Sequence, residues 1–281
     1  MRSCAFPNGS SASRLAASSP PGPRPRSPKI RSCRRYISVN RLIIENLSAG
    51  YGAVSVLRKV SLELNESEMV ALLGMNGNGK STLLNCILGF VRASAGRIVL
   101  EWNGKNTDLT KLQPHEIVRL GLSIVPEGRR LVPNISVEDN LKLAGSNPLV
   151  RDRMKQNLAY CFETFPLLLE RRRQIASTMS GGQQQLLAIA RSLMTAPKII
   201  VIDEPSVGLA PIVVRDVLNA ITRLREKSNM TILMAEQSFF QAIDVSSRAY
   251  VLAHGSIQRE FKRSDGEIAH DEIRRAMLGA H

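Results

Sequence analysis

The stretch Met69 to Thr82, MVALLGMNGNGKST, decides the reading of this chain. Its first five residues, Met69 to Leu73, are uniformly apolar, as expected of a short strand buried on both faces. The run ends in Gly74 to Thr82, GMNGNGKST, which fits the pattern G-x-x-x-x-G-K-[ST]. Ser81 to Phe90 then has the composition of a helix. A strand, a glycine loop and a helix in that order form a cradle for phosphate. The glycines let backbone N–H groups converge on the oxygens, and the helix N-terminus adds the positive end of its dipole. Gly74, Asn76, Gly77, Asn78, Gly79, Lys80, Ser81 and Thr82 are therefore the expected nucleotide-binding residues. Lys80 is expected to reach the β- and γ-phosphates, and Ser81 to offer its hydroxyl to Mg²⁺.

Other short apolar runs repeat the pattern of that strand. Lys198 to Asp203 (KIIVID) and Thr231 to Glu236 (TILMAE) each end in polar residues, and helical stretches lie at Gln183 to Thr195 and Val213 to Lys227. Alternation of this kind predicts an α/β fold with a mainly parallel sheet and helices on both faces. Ahead of the loop, RLIIENLSAGY and VSVLRKVSLEL read as two strands joined by a turn near Gly50 to Ala53, an antiparallel β part at the N-terminal side; Arg97 to Trp102 reads as a further strand. Residues 128–185 break the rhythm, with helical segments around Val137 to Leu143 and Arg151 to Phe165 and no clear strand, so they read as an inserted helical subdomain. The expected layout is a core of 41–127 and 186–265, the helical insert at 128–185 and a C-terminal helix at 266–281.

The strand KIIVID delivers Asp203 and Glu204 to its C-terminal end, the edge where open α/β sheets bind ligands. Asp203 is suited to hold Mg²⁺, directly or through water. Glu204 is then placed to accept a proton from an attacking water, a role that contributes about 10²–10⁴ in rate. A third motif lies at Thr178 to Met194, TMSGGQQQLLAIARSLM. Ser180 is a plausible N-cap, Gly181 and Gly182 permit close backbone approach, and the helix N-terminus favours an anion.

With Ser180-Gly181-Gly182-Gln183 standing between the phosphate loop and the strand that ends in Asp-Glu, the chain resembles the ATPase subunits of ABC transporters, over about residues 41–281. The resemblance implies a P-loop (RecA-like) core, ATP and Mg²⁺ as cofactors, and a dimer in which the Ser180 motif of one subunit caps the ATP held by the other. It also implies that Tyr51 stacks on adenine, that Glu127 in VPEGRR stands where the family usually has a Gln touching Mg²⁺, and that Gln237 in LMAEQ stands where the family usually has a His. Read alone, Tyr51 is as readily a turn or core residue, Glu127 a solvated loop acid and Gln237 a surface amide. An amide can donate a hydrogen bond to the γ-phosphate but cannot shuttle a proton at neutral pH, so the catalytic weight shifts to Glu204. Ala210 in SVGLAP replaces a frequent Asp. Within the family, PEGRR, DEPSVGLAP, AEQ and the terminal RRAMLG resemble one of the two ATPases of branched-chain amino-acid importers; related importers move urea, short amides or other amino acids. The partners so implied are membrane permease subunits, a sister ATPase and, indirectly, a periplasmic binding protein. The location implied is the cytoplasmic face of the inner membrane.

Composition narrows the alternatives. The 281 residues are 43% apolar but only 4% aromatic, enough for a core built mainly of Leu, Ile, Val and Ala. No run approaches the ~18 apolar residues of a membrane-spanning helix. The net charge is +14, yet residues 1–40 carry eight basic and no acidic side chains, leaving 30 basic against 24 acidic elsewhere, so no nucleic-acid partner is expected. That Ser-, Pro- and Arg-rich stretch is expected to be disordered. It also has the composition of a transit peptide, but a start codon assigned too early is the plainer reading, because the folded pattern begins near Val39 to Leu42. Cys4, Cys33, Cys86 and Cys161 have neither metal-ligand spacing nor a disulfide pattern, and Cys86 is expected to be ordinary helix packing. A single domain without a long heptad run speaks against the translation and DNA-repair ATPases, and the Ser180 motif against a small-molecule kinase.

Overall fold

Thirteen strand residues of β3 (Met69–Leu73), β7 (Ile199–Asp203) and β8 (Thr231–Glu236) alternate between two apolar cores, and this alternation organises the chain. The computed structural model describes residues 40–263. Met69, Ala71, Leu73, Ile200, Ile202, Ile232 and Met234 face one core; Val70, Leu72, Ile199, Val201, Leu233 and Ala235 face the other. Every one of them is fully buried. Burying a side chain of this size contributes about 1.5–3 kcal/mol relative to exposure. A one-residue slip would move each side chain to the opposite core, so the register is strongly specified.

These strands belong to a six-stranded sheet that also contains β6 (Leu122–Val125), β9 (Arg248–Ala253) and β10 (Ser256–Lys262), in the order β10-β9-β3-β8-β7-β6. All pairs are parallel except β10 with β9. On the first face lie α6 (Gly181–Leu193) and α7 (Pro211–Ser228). In α7, Val214, Val217, Leu218, Ile221 and Leu224 recur at three- and four-residue spacing and are buried, which is the apolar stripe a helix needs to sit on a sheet. Pro211 opens this helix, and Asn229 closes it in the left-handed conformation at φ 50°. On the second face lie α1 (Lys80–Ile87) and a four-stranded antiparallel sheet. That sheet is made of β1 (Arg41–Tyr51), β2 (Val54–Asn65), β4 (Ala93–Trp102) and β5 (Lys105–Asp108), in the order β2-β1-β4-β5. Helices thus lie on both faces, as expected, and on one of them α1 shares the face with the antiparallel sheet.

Between β5 and β6 comes α2 (Pro114–Arg119). After β6 come α3 (Val137–Gly145), α4 (Met154–Thr164) and α5 (Pro166–Glu170), and after β8 comes α8 (Phe239–Val245). Residues 128–180 contribute no strand to either sheet, only an isolated bridge between Ser136 and Ile175. A boundary at 185/186 would cut α6, which runs unbroken from Gly181 to Leu193 because Gly182, Gln185, Leu187, Ala188 and Ile189 are buried along it. Cys86 is buried in α1, where burial pushes its thiol up to about 11, as packing predicts. The basic stretch before Asn40 and the helix expected at 266–281 lie outside the described residues.

Arg248, at the start of β9, fastens the two sheets together. Its guanidinium donates to both carboxylate oxygens of Glu68 at 2.8 and 3.0 Å, to Glu63 of β2 at 3.0 Å, to Glu260 of β10 at 3.2 Å and to the Tyr250 hydroxyl at 3.1 Å. Only the Glu68 contact is enclosed, with side-chain exposures of 9% and 12%; Glu63 and Glu260 are more than a third exposed and contribute little. Arg248→Met leaves the Glu68 carboxylate buried without its partner, and removing one member of such a pair costs about 3 kcal/mol. Urea unfolding followed by circular dichroism is expected to show that loss.

Candidate active site

Four neighbouring parallel strands end on one edge of the large sheet, and each carries a polar residue just beyond its last apolar one. From β3 to β6 these are the loop at Gly74, Gln237 after β8, Asp203 and Glu204 at the end of β7, and Glu127 after β6. At about 4.8 Å per strand the row spans roughly 14 Å.

The loop at Gly74 to Thr82 is shaped by close packing. The backbone N–H of Gly74 donates to the Glu236 carbonyl at 3.3 Å, and a Cβ on Gly74 would stand 2.6 Å from the Leu252 carbonyl oxygen. Gly79 has φ 100°, and a Cβ there would stand 2.8 Å from Leu57 Cδ2. Both contacts leave no space for a side chain, and the second also requires a backbone that L-residues rarely adopt. Val56 packs on the same glycine, so β2 buttresses the loop. Tyr51 is 54% exposed at the tip of the β1–β2 hairpin, five residues from that buttress.

Lys80 is 3% exposed and folds back on its own loop. Its ammonium donates to the carbonyls of Gly74 at 2.8 Å and Met75 at 3.2 Å and pairs with Glu204 Oε1 at 3.0 Å. The Ser81 hydroxyl donates to Asp203 Oδ1 at 3.3 Å. Thr82 is buried in the first turn of α1, and Asn76, Gly77 and Asn78 form the outer rim of the loop. Glu204 adopts φ 46°, an uncommon conformation for a residue with a side chain, and its N–H is held by the Ala235 carbonyl at 3.0 Å. Gln237 bridges the two halves: its amide nitrogen donates to Glu204 Oε2 at 2.9 Å and to Asn76 Oδ1. The structure therefore brings together Asn76, Lys80, Ser81, Asp203, Glu204 and Gln237.

Burial pushes the Asp203 carboxyl above its ordinary range; the Ser81 hydrogen bond opposes this, the negative charges of Glu204 and Glu127 add to it, and Lys80 opposes it. Lys80 pairs with Glu204 and acts on Asp203 through its field, so these two carboxylates draw on one ammonium, an imbalance that favours a cation. Glu127 is exposed in the loop after β6 and reaches Asp203 through its field.

The Ser180 motif stands apart from this cluster, at the start of α6. Ser180 caps the helix: its hydroxyl accepts from the Gln183 N–H at 3.4 Å, and the Gln183 side chain accepts from the Ser180 N–H at 3.1 Å. A Cβ on Gly182 would stand 2.3 Å from Val213 Cγ1, and one on Gly181 2.9 Å from Leu209 Cδ2. The glycines let α6 seat against the start of α7 while Ser180 stays exposed. Arg191, further along α6, donates to the carbonyls of Arg130 at 2.5 Å and Arg129 at 3.1 Å, and Arg129 donates to Gln184 at 3.2 Å. These bonds tie the Glu127 loop to the helix that Ser180 begins.

Sequence reasoning missed Glu236. Its carboxylate is fully buried and accepts from Ser206 N–H, the Ser206 hydroxyl and the Gln237 and Ser238 N–H groups. The signal was present, because TILMAE ends in an acid just as KIIVID does. It missed Arg191 as well, which reads as an ordinary basic residue in a helix.

A sequence profile described as ABC transporter matches residues 57–207. The chain is 41% identical to the high-affinity branched-chain amino acid transport ATP-binding protein BraG of Pseudomonas aeruginosa, over 77% of this chain and 90% of that protein. It is 31% identical to the probable branched-chain amino acid transport ATP-binding protein LivF of Archaeoglobus fulgidus, over 83% of this chain and 96% of that protein. Among solved structures, the ADP conformation of an ATP-binding cassette of an ABC transporter superposes with a TM-score of 0.69 at 30% identity, covering 84% of this chain and 94% of that one.

Gly79→Ala forces a side chain into an occupied space at φ 100°. Strain of this kind costs about 1–3 kcal/mol. The variant is expected to show a lower melting temperature and weakened nucleotide affinity by titration calorimetry, whereas Gly128→Ala, with no atom within 4 Å of the added carbon, loses stability only through its backbone and leaves affinity unchanged.

Proposed function

The chain belongs to the ABC transporter family of ATP-binding subunits, and on that premise we propose that it powers an importer of branched-chain amino acids. Members of this family bind and hydrolyse ATP to drive transport. The observation that carries the reading is the contact set at the sheet edge: Lys80 against Glu204 at 3.0 Å, Ser81 against Asp203 at 3.3 Å, and Gln237 spanning Glu204 and Asn76. The two relatives named above, both branched-chain amino acid transport ATP-binding proteins by name, support the substrate class.

In this reading the N–H groups of Gly74 to Ser81 bind the phosphates, and Lys80 leaves the carbonyls of its own loop for phosphate oxygens. Tyr51, exposed beside the loop, offers its ring to adenine, a stack worth about 1–3 kcal/mol by alanine substitution. Mg²⁺ fits the donors present: the Ser81 hydroxyl and the Asp203 carboxylate are hard oxygens already 3.3 Å apart, and burial makes Asp203 costly to keep charged without a cation. Glu127 would be a further oxygen ligand, directly or through water. When bound, the ion would neutralise charge on the phosphates. Glu204 accepts the proton of the attacking water, and Gln237 orients Glu204 while donating to the γ-phosphate. An amide in that place holds no proton to exchange, so general-base work falls to Glu204.

Ser180, Gly181, Gly182 and Gln183 complete the site of a second ATPase subunit, which in turn completes this one. ATP then favours the closed pair because it contacts both subunits, and hydrolysis removes that differential contact. The helices at 128–185 and the Glu127 loop carry the motion to membrane permease subunits. Among the described residues no helix is long and apolar enough to cross a membrane. A sister ATPase in a heterodimer and a periplasmic binding protein complete the proposed assembly.

Glu204→Gln is expected to keep ATP affinity and lose turnover by about 10²–10⁴-fold, the worth of a general base. Phosphate release and nucleotide titration on the same preparation test this, and full turnover would remove Glu204 from the role. Lys80→Ala is expected to lose most nucleotide binding. Co-purification of the tagged chain with a multi-span permease tests the transport assignment, and a monomer with kinase activity would overturn it.

A further inference from the structure

We propose that Glu236 is a positioning residue for ATP hydrolysis, holding Gln237 at its working distance from Glu204. The inference rests on Glu204 and Gln237 acting at the γ-phosphate. Glu236 is fully buried at the end of β8 and touches no surface. Its Oε1 accepts the Ser206 N–H at 3.0 Å. Its Oε2 accepts the Ser206 hydroxyl at 2.6 Å and the N–H groups of Gln237 at 3.1 Å and Ser238 at 3.5 Å. Ser206 lies two residues beyond Glu204, so one carboxylate grips the backbone after the base and the backbone of the amide that bridges to it. The neighbouring backbone acts to the same end. The Glu236 carbonyl accepts the Gly74 N–H at 3.3 Å, and the Ala235 carbonyl accepts the Glu204 N–H at 3.0 Å. Residues 235 and 236 therefore contact the phosphate loop, the base and the bridging amide at once.

A carboxylate is the side chain this place demands. Its four hydrogen bonds all come from donors, and three of these are rigid backbone N–H groups that cannot turn away. Burial pushes the Glu236 carboxyl up, and the hydrogen bonds from Ser206, Ser238 and Gln237 oppose this by favouring the carboxylate. Leu73 of β3 and Val251 of β9 stand level with it in the sheet, so packing on that side does not call for an acid. The 2.9 Å contact between Gln237 and Glu204 is what this arrangement secures.

Glu236→Gln keeps the volume but turns one oxygen into a donor facing another donor, which displaces the turn at 237–238 or the one at 206. A displacement of about 1 Å costs on the order of 10² in rate. In the purified full-length chain, kcat for ATP is expected to fall by that order while the Kd for ATP stays within about threefold, the split that marks an interaction used in turnover rather than in binding. Ser206→Ala removes the 2.6 Å bond without a donor clash and is expected to lower kcat several-fold with Kd unchanged; it carries the same readout should Glu236→Gln fail to fold. In a Gln237→Ala background the effect of Glu236→Gln is expected to shrink, because groups acting as a unit are not additive. Unchanged kcat in both single variants, equal losses of binding and turnover, or full additivity with Gln237→Ala would overturn the inference. Loss of turnover in Glu204→Gln without loss in Glu236→Gln rejects this inference alone, whereas full turnover in Glu204→Gln rejects the reading beneath it.

Discussion

The parallel hydrogen bonding of β3, β8, β7 and β6 is the constraint on which the rest of the structure depends. Leu73 pairs with Glu236 and Asp203 with Ala235, so the strands stop level with one another. Their polar continuations must then emerge side by side on one edge. A loop of glycines and a pair of acids 120 residues apart in the chain become neighbours because apolar runs of nearly equal length are held in register by two cores. Each core reads only alternate residues, and so no slip can bury one face without exposing the other.

The site set on that edge is built against local preferences. Lys80, Asp203, Glu204 and Glu236 are all buried, where an unpaired charge is costly. Glu204 also holds a backbone conformation worth about 1–3 kcal/mol of strain. The surrounding sheet supports these groups through fixed bonds: Lys80 to two loop carbonyls, Glu204 to Lys80 and Gln237, and Glu236 to four donors. Lys80 and Glu204 neutralise each other at 3.0 Å. In the function proposed above, a phosphate in the loop would compete with Glu204 for that ammonium.

A second set of bonds connects this edge to the helices. Arg191 holds the carbonyls of residues 129 and 130, and Gly181 and Gly182 seat the same helix on the start of α7. The loop after Glu127, the helix headed by Ser180 and the segment after Glu204 are therefore packed as one body.

The sequence by itself determined the architecture wherever a pattern was local. The phosphate loop shows in nine consecutive residues, β3, β7 and β8 in unbroken apolar runs, and β1 and β2 in alternation across a short turn. The carboxylates at 203 and 204 were readable because they close an apolar run. What only the tertiary structure decided depends on chain segments that meet across long separations. β6, with four residues, and β9 and β10 are strands because partners of the sheet hydrogen-bond to them. One face of the large sheet is covered by a second sheet because Leu42, Ile44, Leu62 and Leu64 find Leu72 and Leu84 there. Glu236, Arg191 and Arg248 looked like ordinary strand or helix charges, and their roles are set by donors and acceptors contributed from 30 to 180 residues away. Periodicity records which face a residue occupies; it does not record what stands opposite, and for buried charges the opposite group is what determines the role.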